Sequence, residues 1–417
     1  MTIQSQPSLR IALLGYRSNP HCGGQGVYIK NLSRALTALG HRVDVISGPP
    51  YPLLDPGVRL IRLPSLDLYN PDNLFRVPKL WELKNPVNLI EWLGISTMGF
   101  SEPLTFGMRA YDYFRRHGGT YDVVHDNQTL AYGIWAIGKK LPLVATIHHP
   151  ITVDKRIAVT AEPVFWKKFK QLRWYSFVGM QKRVARTLDH VITVSRCAQA
   201  DISREFRIPE ERFTVIPNGI NTDLFFPIPE IERQKNRVIV TNSADTPLKG
   251  LYYLLYAVAN IIKTHPIRLI VVGTPKKNGK ILYLIRKLGI GAHVTFTGRI
   301  SDQEFVRQYA KASVAVIPSV YEGFGLPAGE AMACGVPVIS TTGGALPEVV
   351  GDAGILVPPR DVDALTRAIL AVLSSPGLSE KLSRNGYQRV QNHLTWQAAA
   401  LKTIDVYRKA IHDHHRI

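Results

Sequence analysis

The chain has 417 residues, enough for two or three domains with ample core, and its 45% hydrophobic and 20% charged residues are globular values. Three cysteines, Cys22, Cys197 and Cys334, lie far apart in no ligand spacing, which argues against a disulfide framework or a zinc site and fits a reducing compartment. A net charge of +19 spread over both halves suits nucleic acid, an anionic membrane surface or anionic small molecules without choosing among them.

The start, MTIQSQPSLRIALLGY, passes from a short polar lead into a strand with no signal-peptide core, and no run of 18 apolar residues follows anywhere, so no membrane span is expected. Leu9–Tyr16 reads as a buried strand. Gly23-Gly24-Gln25-Gly26 follows, then Val27–Leu39 has helical period with Gly40 as its stop. Strands are expected at Arg42–Ile46, Val58–Leu63, Asp122–His125, Leu143–His148, His190–Val194 and Phe213–Ile216, with helices between several of them. That alternation predicts a parallel sheet with helical crossovers.

Residues 64–110 break the rhythm. Rich in Pro, Trp, Leu and Gly, with an apolar stretch at Val87–Leu104, they read as an insertion with short helices, either a structural cap on the sheet or an acceptor-binding wall. Lys155–Arg186 carries nine basic residues against one acidic residue, Glu162, interleaved with aromatics. It reads as a basic amphipathic helix, either packing its aromatics inward or lying on an anionic bilayer.

Asn221–Asn236 is turn-rich and then charged, a linker. A second alternation follows, with strands expected at Arg237–Asn242, Arg268–Val272, His293–Thr297, Ser313–Ile317 and Val336–Ser340. Ser301-Asp302-Gln303-Glu304 has the form of a capping box. Asp361-Val362-Asp363 reads as a helix N-cap rather than a metal-binding pair. Helices are expected at Leu251–Lys263, Leu365–Leu373, from Ser379 onward, and at Trp396–His412, the last reaching back to the first domain. The expected fold class is α/β, with two doubly wound domains and ligands bound at the C-terminal ends of the strands.

The most informative stretch is Tyr321–Gly335, YEGFGLPAGEAMACG, which follows an expected strand. Gly323 and Gly325 let a ligand approach the backbone, and Pro327 suits the first turn of a helix. The N–H groups of Gly323, Phe324, Gly325 and Leu326 can then receive an anion. Glu322 lies in the loop beside that anion and Glu330 about a turn inside the helix, an arrangement suited to a phosphorylated ligand with hydroxyl groups such as a nucleotide sugar.

Taken with GGQGVYIKNLSRAL, ATIHH, VITVS, VIPNGINTDLF, PLKG and EGFGLPAGEAMACGVPVISTTGGALPEVV, the whole chain resembles the retaining glycosyltransferases of family 4, of GT-B architecture. That resemblance implies two Rossmann-like domains facing a central cleft: 1–217 for the acceptor, a linker 218–236, 237–394 for the nucleotide sugar, and a crossover helix 395–417. It implies that Glu322 lies near the donor sugar and phosphate, that Glu330 holds the ribose hydroxyls, and that Lys249 binds the diphosphate. It further implies that Gly23 and Gly24 approach donor or acceptor, that His148 contacts the transferred sugar, and that Arg299-Ile300 lie by the nucleobase. Many relatives carry an arginine near Asn242 or Ser243; this chain has none there, and Arg299, Arg17 or the amides of Gly323–Leu326 are candidate substitutes.

The expected reaction is metal-independent hexosyl transfer from a nucleotide-diphosphate sugar, UDP- or GDP-linked, to an acceptor hydroxyl on a membrane lipid or cell-envelope glycan. The expected setting is cytoplasmic, peripheral on the inner face of the plasma membrane. The nucleotide sugar is a substrate; no resident cofactor and no nucleic-acid partner are expected. A phosphorylase or nucleotide-sugar epimerase of the same fold, and a non-enzymatic basic binder of membrane or nucleic acid, are the competing readings.

Overall fold

A computed structural model of the chain describes residues 7–19, 24–70, 73, 76–160, 162, 164–241, 247–277 and 279–416. Gly23 and Ser243 lie outside the described residues. The chain divides into two compact units, Met1–Val194 with Ala198–Ile216 and Ala399–Ile417, and Ser195–Cys197 with Pro217–Ala398.

Unit 1 is built on a seven-stranded parallel sheet of β1 (Arg10–Gly15), β2 (Arg42–Ser47), β3 (Arg59–Arg62), β4 (Val123–Asn127), β5 (Leu143–Ile147), β6 (Val191–Thr193) and β7 (Phe213–Val215). The order is β3-β2-β1-β4-β5-β6-β7, with Ile11 paired to Val43 on one side and Val123 on the other. β4 is buried at all five positions, as central strands covered on both faces must be. Strand order reverses between β1 and β4, so a crevice forms at their C-terminal ends. The α-helices between the strands, among the described residues, are α1 (Gly24–Ala38), α2 (Pro86–Ser96), α3 (Glu102–His117), α4 (Tyr132–Gly138), α5 (Ile151–Thr160), α6 (Phe165–Trp174), α7 (Phe177–Ala185) and α8 (Arg196–Phe206).

Unit 2 repeats the plan with β8 (Arg237–Thr241), β9 (Arg268–Val272), β10 (Val294–Phe296), β11 (Val314–Ile317), β12 (Val338–Thr341) and β13 (Ile355–Val357), ordered β10-β9-β8-β11-β12-β13 and parallel throughout. Its helices are α9 (Leu251–Ile261), α10 (Lys280–Leu288), α11 (Asp302–Ala310), α12 (Leu326–Ala333), α13 (Leu346–Val350), α14 (Val362–Ser374) and α15 (Pro376–His393). Val238, Leu269 and Val314 of the sheet are buried in one core with Leu254 and Val258 of α9 and Ile369 of α14. Within the linker stretch, Phe225 is buried edge-on against Phe305 and Tyr309 of α11, which ties it to unit 2. The last helix, α16 (Trp396–His414), passes from unit 2 into unit 1, where Tyr407 is fully buried.

Four local expectations change. Lys155–Arg186 is not one helix but parts of α5, α6 and α7. α7 buries Val178, Met180 and Val184, whereas α6 buries nothing. α3 is no short helix: it runs for 16 residues, and Gly107 lets it meet α4 so closely that a Cβ on Gly133 would lie 1.9 Å from the Gly107 carbonyl. The capping box is half made: Ser301 Oγ accepts from Glu304 N at 3.2 Å, but Glu304 Oε1 accepts from Gln308 Nε2. β13 has three residues and pairs on one side only, too short a run to give a periodic signal.

Candidate functional site

In unit 2 the site grows from the C-terminal end of β11. The chain leaves the strand at Pro318, and Val320 N donates to Leu248 O at 2.7 Å, clasping the short helical turn Pro247–Lys249. Gly250 permits this approach: its φ is 70°, and a Cβ there would lie 1.9 Å from Pro318 O. Lys249 Nζ consequently reaches Glu322 Oε1 at 2.7 Å, and Ser319 Oγ donates to the same oxygen at 2.8 Å. Glu322 Oε2 has no hydrogen bond among the described residues. The Glu322 main chain is held equally firmly, its carbonyl accepting from Ala345 N at 2.9 Å.

Gly323, Phe324 and Gly325 carry the chain into α12, with Phe324 buried. Gly325 is the N-cap at φ 100° with no side-chain cap among the described residues; Ala328 N donates to Gly325 O at 3.0 Å and Pro327 has no N–H, so the amides of the loop and of Leu326 keep their capacity for an acceptor. Leu326 opens the helix and Pro327 sits in its first turn. Glu330 lies on the next turn. Burial, with Asp302 adding like charge, pushes its carboxyl up to about 7. The residue is half-buried, and its carboxylate has no hydrogen-bond partner among the described residues, so it can accept from an incoming donor. Arg299 follows Gly298, which is at φ 70° and donates to Gly273 O at 3.1 Å. The Arg299 side chain is exposed and Ile300 half-buried.

In unit 1 the predicted residues lie at the C-terminal edge of the sheet. His148 follows β5. Its backbone N–H donates to Gln128 Oε1 at 2.7 Å, and its Nε2 lies 2.7 Å from Asn127 Oδ1. Asn127 Nδ2 donates to Gln25 O at 3.2 Å, which leaves Oδ1 as the acceptor and places the proton of neutral His148 on Nε2. Desolvation, then His149 and His125, lower the His148 imidazole to about 3, so it is neutral at pH 7.

Behind it, Tyr28 stands edge-on to His148 and to His125, with ring centroids at 4.8 and 6.2 Å. Tyr28 OH shares a 2.9 Å hydrogen bond with Thr146 Oγ1, and His125 bridges Thr146 Oγ1 at 2.7 Å to Tyr407 OH at 2.6 Å. Gly24 opens α1, and a Cβ there would meet no atom of the described residues within 4 Å. Arg17, named as a substitute diphosphate contact, instead donates to both oxygens of buried Glu102 at 3.0 and 3.1 Å. A cavity of about 450 Å³ lined by Leu143, His190 and Asp413 opens at the N-terminal ends of β5 and β6, the edge away from these residues.

Sequence reading missed Ser319, Asn127, Tyr28, Thr146, His125 and Tyr407. Asn127 and Ser319 stand just where strands end, the one available signal. The others emerge only when α1, β4, β5 and α16 are packed together.

Residues 225–389 match the family described as Glycosyl transferases group 1, and residues 22–224 match Glycosyltransferase Family 4. The chain is 48% identical to the MMP alpha-(1->4)-mannosyltransferase of Mycolicibacterium hassiacum, over 97% of this chain and 98% of that protein. It is 27% identical to the D-inositol 3-phosphate glycosyltransferase of Streptomyces bingchenggensis, over 98% of this chain and 91% of that one. Among solved structures, sucrose-phosphate synthase from Thermosynechococcus elongatus superposes with a TM-score of 0.73 at 27% identity, covering 96% of this chain and 98% of that chain.

Proposed function

The chain belongs to the group 1, family 4 glycosyltransferases, of GT-B fold, and from that premise we propose that it is a retaining, metal-independent hexosyltransferase using a UDP- or GDP-linked sugar. The transferred sugar is mannose, a reading supported by the mannosyltransferase to which the chain is 48% identical. Unit 2 binds the donor and unit 1 the acceptor, a hydroxyl of a cell-envelope glycan or a membrane lipid. The enzyme works in the cytoplasm, and the basic aromatic segment 155–186 lies against an anionic membrane surface.

One observation carries the reading: Lys249 and Glu322 are held 2.7 Å apart beside the start of α12, with Glu330, whose carboxylate has no partner among the described residues, one turn on. A diphosphate at the α12 amides meets the Lys249 ammonium, which takes up charge as the bond from the anomeric carbon to the phosphate oxygen breaks. Glu322 stabilises the oxocarbenium-like sugar. The acceptor oxygen bonds to the anomeric carbon on the face the diphosphate leaves, and its proton passes to the departing phosphate oxygen. Glu330 accepts from the ribose hydroxyls. Gly23, Gly24 and neutral His148, whose Nδ1 is left as an acceptor, bind the sugar; Arg299 and Ile300 flank the base.

A thermal-shift panel of UDP- and GDP-sugars with EDTA, followed by transfer assays, tests this. One nucleotide series should stabilise the protein without divalent metal. Lys249→Ala and Glu322→Gln should each lower kcat about 100-fold or more. Unchanged turnover in both variants would refute the assignment, and acceptor-dependent release of nucleotide diphosphate separates transfer from epimerisation.

A further inference from the structure

Helix α2 is built inside out. Its one buried residue is Glu91, which accepts from Leu66 N at 3.1 Å and from Arg109 Nη2 at 2.6 Å. Leu89, Ile90 and Leu93 face outward, at 38%, 36% and 48% exposure. An amphipathic helix on a water-facing surface does the opposite. Helix α6 buries no residue at all, and exposes Phe165, Trp166, Phe169 and Leu172 among Lys167, Lys168 and Lys170. The end of α6 meets the segment that follows α2: Arg173 Nη2 donates to Thr97 Oγ1 at 2.8 Å, and Trp174 stacks on Phe100 at 5.2 Å.

Beside α2 lies a groove of about 690 Å³ lined by Ile90 and Leu93 of α2, by Phe100 and Leu104, and by Phe177 and Met180 of α7. Arg173 and Arg183 also line it. Their guanidiniums donate only to neutral hydroxyls, of Ser176 and Thr97 and of Tyr132, with no carboxylate in ion-pair reach among the described residues. The groove adjoins the ligand-binding edge of the unit 1 sheet, since Phe100 packs edge-on against Tyr16, just beyond β1.

We propose that the outward faces of α2 and α6 dock on a leaflet containing anionic phospholipid, with one acyl chain in the groove and its phosphate at Arg173 and Arg183. This rests on the membrane reading of segment 155–186 and extends it to α2, which supplies the apolar half of the surface. Charge selects the occupant. Apolar side chains mixed with cations alone match an anionic interface, whereas a second copy would set Lys167, Lys168 and Lys170 against their own kind.

Co-sedimentation of the full chain with vesicles of phosphatidylcholine, with and without phosphatidylglycerol, tests it without any donor present. Wild type should sediment with the mixed vesicles and be released by salt. Leu93→Asp and Phe169→Asp, on separate helices, should each weaken binding about tenfold or more with unchanged melting. Arg183→Gln should weaken it less. Sedimentation equal to wild type in both aspartate variants overturns the proposal, as does absence of wild-type binding. So does binding of monomeric dodecyl phosphate without vesicle binding, or a dimer in light scattering that Leu93→Asp dissolves. Donor-induced thermal shift, measured alongside, should be the same in all variants, so failure here leaves the transfer reading intact and the reverse also holds.

Discussion

At the scale of single residues, close approach decides more than side-chain chemistry. Gly344 is at φ 65°, and a Cβ there would lie 2.2 Å from the carbonyl oxygen of Glu322. Gly344→Ala therefore strains the backbone and pushes the Glu322 loop away. Unit 2 should lose about 2–4 kcal/mol, read by denaturant unfolding, together with most activity. The Glu330 carboxyl, raised to about 7, should make donor binding depend on pH. Only the ionised form accepts fully from a diol, so affinity should rise from pH 6 to pH 8 by calorimetric titration, and Glu330→Gln should be flat across that range. His148, held near 3, is the opposite case. Asn127→Asp would set an anion against its Nε2 and favour the imidazolium, so the His148 pKa should rise by NMR titration and acceptor-dependent turnover should fall at neutral pH.

At the scale of elements, α2 shows how a helix can be apolar by composition and still bury its one charge. Glu91 is 1% exposed and Arg109 11%, a pair desolvated on both sides. Removing one partner leaves the other charge stranded, so Glu91→Ala should destabilise unit 1 by about 3–5 kcal/mol. Leu93→Asp, on the outer face, should leave its melting temperature unmoved. Periodicity alone could not separate these positions, because an apolar stretch such as Val87–Leu104 reads the same whichever face is turned inward. The α12 loop was more legible. Its glycines, Pro327 and two glutamates stand close together in the chain, and local backbone geometry suffices to place them around one helix start.

At the scale of the whole molecule, unit 1 is completed by the far end of the chain. Tyr407 of α16 closes the chain of hydrogen bonds that runs through His125 and Thr146 to Tyr28. Tyr407→Phe leaves His125 Nδ1 buried without a partner, and thermal unfolding should register a loss of about 1–3 kcal/mol. The two parallel sheets are legible along the chain, because buried parallel strands read as continuous apolar runs and their crossover helices carry a 3.6-residue period. So is the Glu322–Glu330 segment, whose members are local. Which way α2 and α6 face, that Arg17 is taken by Glu102, and that Asn127 holds the proton of His148 on Nε2 all emerge from long-range packing. Those outcomes depend on pairings between residues 18 to 85 positions apart, and no pattern along the chain encodes which distant partner a charge or a ring nitrogen will meet.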